Sequence, residues 1–327
     1  MVRRLFWIPV VMLVGLVSGN VRGDIAAIKE QASKLEMRAK ELTEAAAVPK
    51  KQVEELGEKV DQKLKDLKAL ASNKDQLKAD TRQRLELLQT NDEAKHLDAL
   101  KDADQLGDEG LILAAFAAKE SKHTKVRRKA LDQAVALRQD GLPVIAFSFY
   151  SLPVEDRVYL VEQVAKDAVN NATLLFAAAK TDDVEVRKVL VKAAGTLTGQ
   201  QGLLLLGAAA KEADAKLAEA FAEVSSKFNS EDEVFILYMG AKSNEPAFQI
   251  ASLKAAGTRT VQKETGLVVV MVAYKSTDSK VRAQLVRTAK KIGGSDAQLA
   301  IDAALRDPDE KLREAAEKAL KERDDRK

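Results

Sequence analysis

The chain of 327 residues contains no cysteine. This excludes disulfides, thiolate metal ligands, iron–sulfur clusters and thiol nucleophiles, and removes the acylatable residue that a bacterial lipoprotein needs. Aromatic residues make up only 4%. The single tryptophan, Trp7, lies in the first 23 residues, so the remainder has no tryptophan platform on which bases would stack. There are two histidines, His96 and His123. They are not spaced as a ligand pair, and neither has a neighbour in sequence that completes a nucleophilic triad. A net charge of one sign is missing too. Arg3, Arg4 and Arg22 account for the whole formal charge of +3, because residues 1–23 contain no acid, and the rest is neutral. No long basic block exists, so no nucleic-acid partner is expected. No catalytic, cofactor-binding or metal-binding residue is assigned, no cofactor is expected, and the chain reads as not being an enzyme.

What is present is helix-forming. Alanine, leucine, lysine and glutamate dominate, with 46% hydrophobic and 31% charged residues. Residues 1–23 have a basic start, an apolar run from Leu5 to Val17, and small residues after it at Ser18 and Gly19. This is the pattern of a cleaved signal peptide. An uncleaved membrane anchor is the alternative, although the run is shorter than the roughly 18–20 residues that span a bilayer. Export, periplasmic or secreted, is the expected localisation. No second apolar stretch is long enough to span, so the mature chain is not expected to be integral to a membrane.

Residues 24–106 read as a helical arm. Ile25, Ala32, Ala39 and Ala46 fall seven apart, as do Ile28, Leu35 and Leu42, which makes an a/d seam. Pro49 is expected to stop that helix. A second seam comes next at Val53, Val60 and Leu67, with Leu56, Leu64 and Leu70. Ser72 and Asn73 mark a break, and Thr90 or Asn91 is expected to cap a later helix. The seams would close on each other or on the first repeat, or join two chains; a homo-oligomer through residues 24–106 is the second option.

Residues 107–327 repeat. The octet KTDDVEVR begins at Lys180 and returns at Lys211, Lys242, Lys275 and Arg306, in steps of 31, 31, 33 and 31 residues. A fixed period in this range is the signature of a stacked helical array. The seventh residue of each octet is an apolar anchor: Val186, Leu217, Phe248, Val281 and Leu312. Two earlier units place Val126 and Asp156 at that position, giving seven units. Each unit has an apolar helix, a polar turn and an amphipathic helix. GLVVVMVAY, from Gly266 to Tyr274, is β-branched but is expected to be helical by its place in the repeat.

This pattern resembles the HEAT repeats, particularly the short kind of the phycobilisome-lyase-like proteins, through cores such as Asp278-Ser-Lys-Val281-Arg282 and Asp309-Glu-Lys-Leu312-Arg313. The resemblance covers about two thirds of the chain. It implies an all-α fold: a right-handed α-solenoid of about seven helix pairs, preceded by a helical hairpin or coiled-coil arm. It also implies an inter-repeat ladder and a protein or peptide partner, and brings with it the alternative of an accessory factor acting on a bound cofactor or chromophore. The acids Asp183, Asp214, Glu245, Asp278 and Asp309 are expected to cap the second helices. The arginines Arg127, Arg157, Arg187, Arg282 and Arg313 are expected to reach the neighbouring unit, with Ala218 and Gln249 breaking that column. Six residues after each anchor runs an outward column of Asp132, Glu162, Lys192, Glu223, Lys254, Arg287 and Lys318. A second column, including Val158, Ile250 and Ala283, is expected to be exposed. His96 is expected on a polar helix face and His123 in an exposed turn. A scaffold for a protein or peptide partner, or an envelope spacer built on the arm, is the function these features support.

Overall fold

The computed structural model describes residues 21–324 apart from 198, 212–213, 259–262 and 275. The expected signal segment lies outside the described residues, except for Val21–Gly23, which open the first helix. The described chain is all-α, with no strand among the described residues. Four helices precede the repeats: α1 (Val21–Ala45), α2 (Ala47–Ser72), α3 (Ala79–Leu88) and α4 (Glu93–Ala99). Seven helix pairs come after them. They are α5 (Asp108–Glu120) with α6 (Thr124–Ala136), α7 (Leu142–Phe149) with α8 (Val154–Ala165), α9 (Ala172–Ala178) with α10 (Val184–Ala194), and α11 (Gly199–Ala209) with α12 (Ala218–Val224). The last three are α13 (Ser230–Lys242) with α14 (Pro246–Thr258), α15 (Lys263–Ala273) with α16 (Ser279–Ile292), and α17 (Gly294–Ala304) with α18 (Glu310–Asp324). These are the seven expected units. The β-branched run lies in α15, so place in the repeat overrides local propensity.

The chain divides into two compact units. One is Glu41–Glu233; the other combines the segment up to Lys40 with Val234–Lys327. In the first, second helices pack in series, α6 on α8, α8 on α10 and α10 on α12, while first helices pack α5 on α7 and α9 on α11. In the second, α14 packs on α16 and α16 on α18, with α15 against α17. Repetition explains this stacking: each pair buries its own apolar helix on one side and offers the same stripe to the next pair. All seven anchors are buried, from Val126 to Leu312.

Geometry requires glycine at several positions, Gly199 and Gly141 among them. Gly199 has φ +55, in the left-handed region, where it starts α11. A Cβ on Gly141 would meet the Ala134 carbonyl oxygen at 1.8 Å, so α7 can follow α6 this closely only through glycine.

The arm departs from expectation in two places. Pro49 does not stop a helix. The helix is interrupted only at Ala46, whose φ of −62 and ψ of −15 are themselves helical, and Pro49 falls in the first turn of α2. An absent N–H is tolerated there, since first-turn donors have no partner within their helix. The cap of α4 is Asp92, which accepts from the Ala94 and Lys95 amides, rather than Thr90 or Asn91. The seam of α2 is closed within the chain. Val53, Val60 and Leu67 are buried where α2 runs across α5, α7 and α9. Leu67→Ala should lower the stability of this unit by about 2–4 kcal/mol, measured by urea denaturation. A variant that unfolds at the native midpoint would show that α2 does not contribute to this core.

Candidate functional site

The octet's charged residues are occupied within the stack. Asp183 accepts from the Glu185 and Val186 amides, and Asp278 from the Lys280 and Val281 amides. Asp214 caps through Lys216, Glu245 through Ala247 and Asp309 through Lys311. Each satisfies donors that a helix start leaves unpaired, and its charge sits at the positive end of the helix dipole. His123 and Pro153 stand at the corresponding positions of the first two repeats and make no side-chain cap.

The arginines are staples. Arg127 donates to the Ser121 carbonyl of its own turn and, through Nε, to Asp156 of the next repeat at 2.6 Å. Arg157 donates to Asp183 at 2.9 Å, the residue that caps α10. Arg187 is buried and donates to the Ala209 carbonyl at the end of α11. Arg282 holds its own Thr277 carbonyl and lies 2.9 Å from Asp307 of the last repeat. Arg313, in the last described repeat, turns to the Asp307 and Pro308 carbonyls. Where the column was expected to be broken, Gln249 keeps a weaker tether: its Oε1 accepts from Ser276 Oγ at 2.9 Å. A neutral hydrogen bond there replaces a charge-assisted one.

The second repeat is unusual. Its anchor, Asp156, is 0% exposed where the other repeats bury an apolar side chain. Arg127 and Arg128 both hold its carboxylate, at 2.6 and 3.1 Å. Arg128 also lies over the Tyr159 ring, 4.6 Å from its centroid. The Tyr159 hydroxyl sits 2.7 and 2.9 Å from the two oxygens of Asp132. Burial first, then the Asp132 hydrogen bond and charge, push the Tyr159 phenol up to about 12, with Arg128 opposing. Asp132 belongs to the outward column but is only half-buried; the other members, from Glu162 to Lys318, are exposed. Val158, Ile250 and Ala283, expected to be exposed, are half-buried.

An open cleft of about 750 Å³ borders this cluster. It is lined by residues of α4 and α6 and the loop after α4, including Asp98, Lys101, Asp102, Asp104, Lys129 and Asp132. Charged side chains share the lining with Ala94, Leu97 and Ala136. Among the described residues, no group of three or more His, Asp or Glu side chains could hold a metal ion.

The histidines need correction. His96 is 3% exposed rather than on a polar face. Its Nε2–H donates to the Thr90 carbonyl at 2.8 Å, which leaves Nδ1 to accept from Ser121 Oγ at 3.1 Å. His123 is half-buried, edge-on to His96 at 5.5 Å between ring centroids, with Nδ1 3.5 Å from Glu93. The pair joins α4 to the first repeat turn. Sequence reasoning separated them because they lie 27 positions apart.

No family model matches the chain, and no curated protein matches it. Among solved structures, human deoxyhypusine hydroxylase in complex with glycerol matches 68% of this chain and 96% of its own, with 14% identity and a TM-score of 0.28. That protein is an enzyme, so the expectation that this chain is not one is withdrawn, and the match does not show that it is one. An absent catalytic cluster in sequence is not a physical exclusion, because sites assemble across helices distant in sequence, as His96 and His123 do. At this TM-score the likeness carries nothing about which chemistry, if any, occurs here.

Two outcomes test the Asp156 cluster. Asp156→Val restores the usual anchor but leaves Arg127 and Arg128 without their carboxylate. It should cost about 3 kcal/mol by urea denaturation; a neutral or stabilising result would show that Asp156 is only a space-filling anchor. For Tyr159, a raised phenol contributes stability that is complete below pH 10 and lost as pH rises through about 12. Ultraviolet titration should show a phenol ionising near pH 12 that Tyr159→Phe removes. A titration unchanged by that substitution would place Tyr159 outside the hydrogen-bonded cluster.

Proposed function

We propose that the chain is an exported scaffold or adaptor that binds a protein or peptide partner through HEAT-like repeats. The observation that carries this reading is how the octet's polar residues are disposed. Its acids cap helices and its arginines tie neighbouring repeats, so the motif is constructional. The outward column of the second helices is left to solvent: Glu162, Lys192, Glu223, Lys254, Arg287 and Lys318. Rows of this kind on helical repeats are surfaces of broad contact, built by repetition. Export rests on the basic, apolar and small-residue pattern of residues 1–23. No helix among the described residues is long and apolar enough to cross a membrane.

The test is site-specific photo-crosslinking in the producing cells. Crosslinkers at Lys192, Lys254 and Arg287 should each give a discrete protein adduct, whereas one at buried Val186 should give none. The absence of adducts at every outward position, in the compartment where the chain accumulates, would remove the scaffold reading.

A further inference from the structure

Residues of α1 return to the repeats 200 positions later. Glu36 Oε1 accepts from the Tyr238 hydroxyl at 3.1 Å and from Lys242 Nζ at 2.9 Å, both on α13. The Arg38 guanidinium lies 5.7 Å from the Phe235 ring centroid, and Lys242 Nζ lies 5.7 Å from that of Tyr238. Phe235 and Tyr238 are buried. Burial first, and then Glu36, raise the Tyr238 phenol, which agrees with a carboxylate seated against it.

The apolar side of α1 is shallowly buried. Ile28, Ala32, Leu35, Ala39 and Leu42 form the apolar stripe of α1, and every one is only half-buried. In α2, by contrast, Pro49, Val53, Val60 and Leu67 are fully buried. The Glu36–Lys242 pair is about half exposed on both sides, a setting in which an ion pair contributes at most about 1 kcal/mol. Met239, next to Tyr238, remains 38% exposed. The α13 face therefore has an aromatic floor, a hydroxyl donor and an ammonium one turn on. Its occupant is an amphipathic helix with a carboxylate at the position that meets both donors. A helix laid on a helical surface by a short apolar stripe is a recognised mode of peptide binding.

We propose that the α13 face bearing Phe235, Tyr238 and Lys242 is a docking site for an acidic amphipathic helix of a partner, and that α1 occupies it in the free chain as a displaceable strap. This rests on the reading of the chain as a binding scaffold and adds the site and the chemistry of its ligand. The partner helix competes with α1, so binding is set by the difference between two similar contacts. The strap has the advantage of tethering, with an effective concentration on the order of millimolar. Weakening the strap without touching α13 must therefore improve binding of a free helix.

The experiment uses the full chain and a fluorescent synthetic peptide of residues 24–45, followed by anisotropy. Glu36→Ala in the chain weakens the strap but leaves α13 intact, and should tighten peptide binding by about fivefold over the native chain. Adding Lys242→Glu to that variant should abolish the gain, and a peptide carrying Glu36→Lys should bind neither chain. Equal affinity of the native and Glu36→Ala chains would overturn the strap. Equal binding of the Glu36→Lys peptide would overturn the acidic requirement, and no binding at millimolar peptide would overturn the site. Circular dichroism confirms that each variant keeps its helices; should Glu36→Ala lose them, Arg38→Ala serves in its place. No cellular partner enters this assay. Its failure leaves the outward-column crosslinks to stand or fall separately, and failure of those crosslinks leaves a positive peptide result intact.

Discussion

The array depends on an arginine placed one residue after the anchor, present in five of the seven repeats. Anchors alone would bury apolar surface, but apolar contact does not fix the register between one helix pair and the next. The arginine does, because its planar fork bonds in two directions at once. Arg127 shows the arrangement fully: one branch holds the Ser121 carbonyl of its own turn and another holds Asp156 of the next repeat. The acceptor then varies along the chain, to Asp183, to the Ala209 carbonyl and to Asp307. A capping acid on the next helix is one solution among several, and the repeats tolerate different ones because the donor geometry is constant.

One departure from this rule coincides with a departure in the helices, while the fifth repeat, with Gln249, keeps α14 whole. The fourth repeat has Ala218 at the arginine position, and its second helix is broken into a short α12 between two single turns of 3-10 helix, Ala215–Leu217 and Ser225–Lys227. The boundary between the two compact units, at Glu233 and Val234, falls just after this repeat. The second repeat departs in the opposite sense. It buries a carboxylate at its anchor and gathers Arg127, Arg128, Tyr159 and Asp132 around it. A buried charge of this kind persists only where its partners are fixed, which they are, by two successive second helices.

The legible part of the structure was whatever depends on nearby residues. Asp183 and Asp278 cap helices because an N-cap needs only the two or three amides after it. The helix pairs, their anchors and the helical state of Gly266–Tyr274 came from the period. Illegible parts involved acceptors set by three-dimensional offset. Nothing local tells whether Arg187 meets an acid or a carbonyl. His96 read as a surface residue because its two partners, the Thr90 carbonyl and Ser121, come from a loop and from the next repeat's turn. Pro49 read as a stop because the interruption at Ala46, which puts it in a first turn, has no sequence mark. The seat of Glu36 on Tyr238 and Lys242 joins positions that no periodicity relates. The α13 face escaped notice for the same reason, although the half-apolar, half-charged stripe of α1 was itself visible.

The central claim is that the arginine couples consecutive repeats rather than stiffening only its own turn. Native-state hydrogen exchange on Arg157→Ala tests it most directly. Coupling predicts that amides of α8 and α10 lose protection together, since Arg157 ties the first to the Asp183 cap of the second. Loss confined to α8, with the α10 amides exchanging as in the native chain, would contradict it.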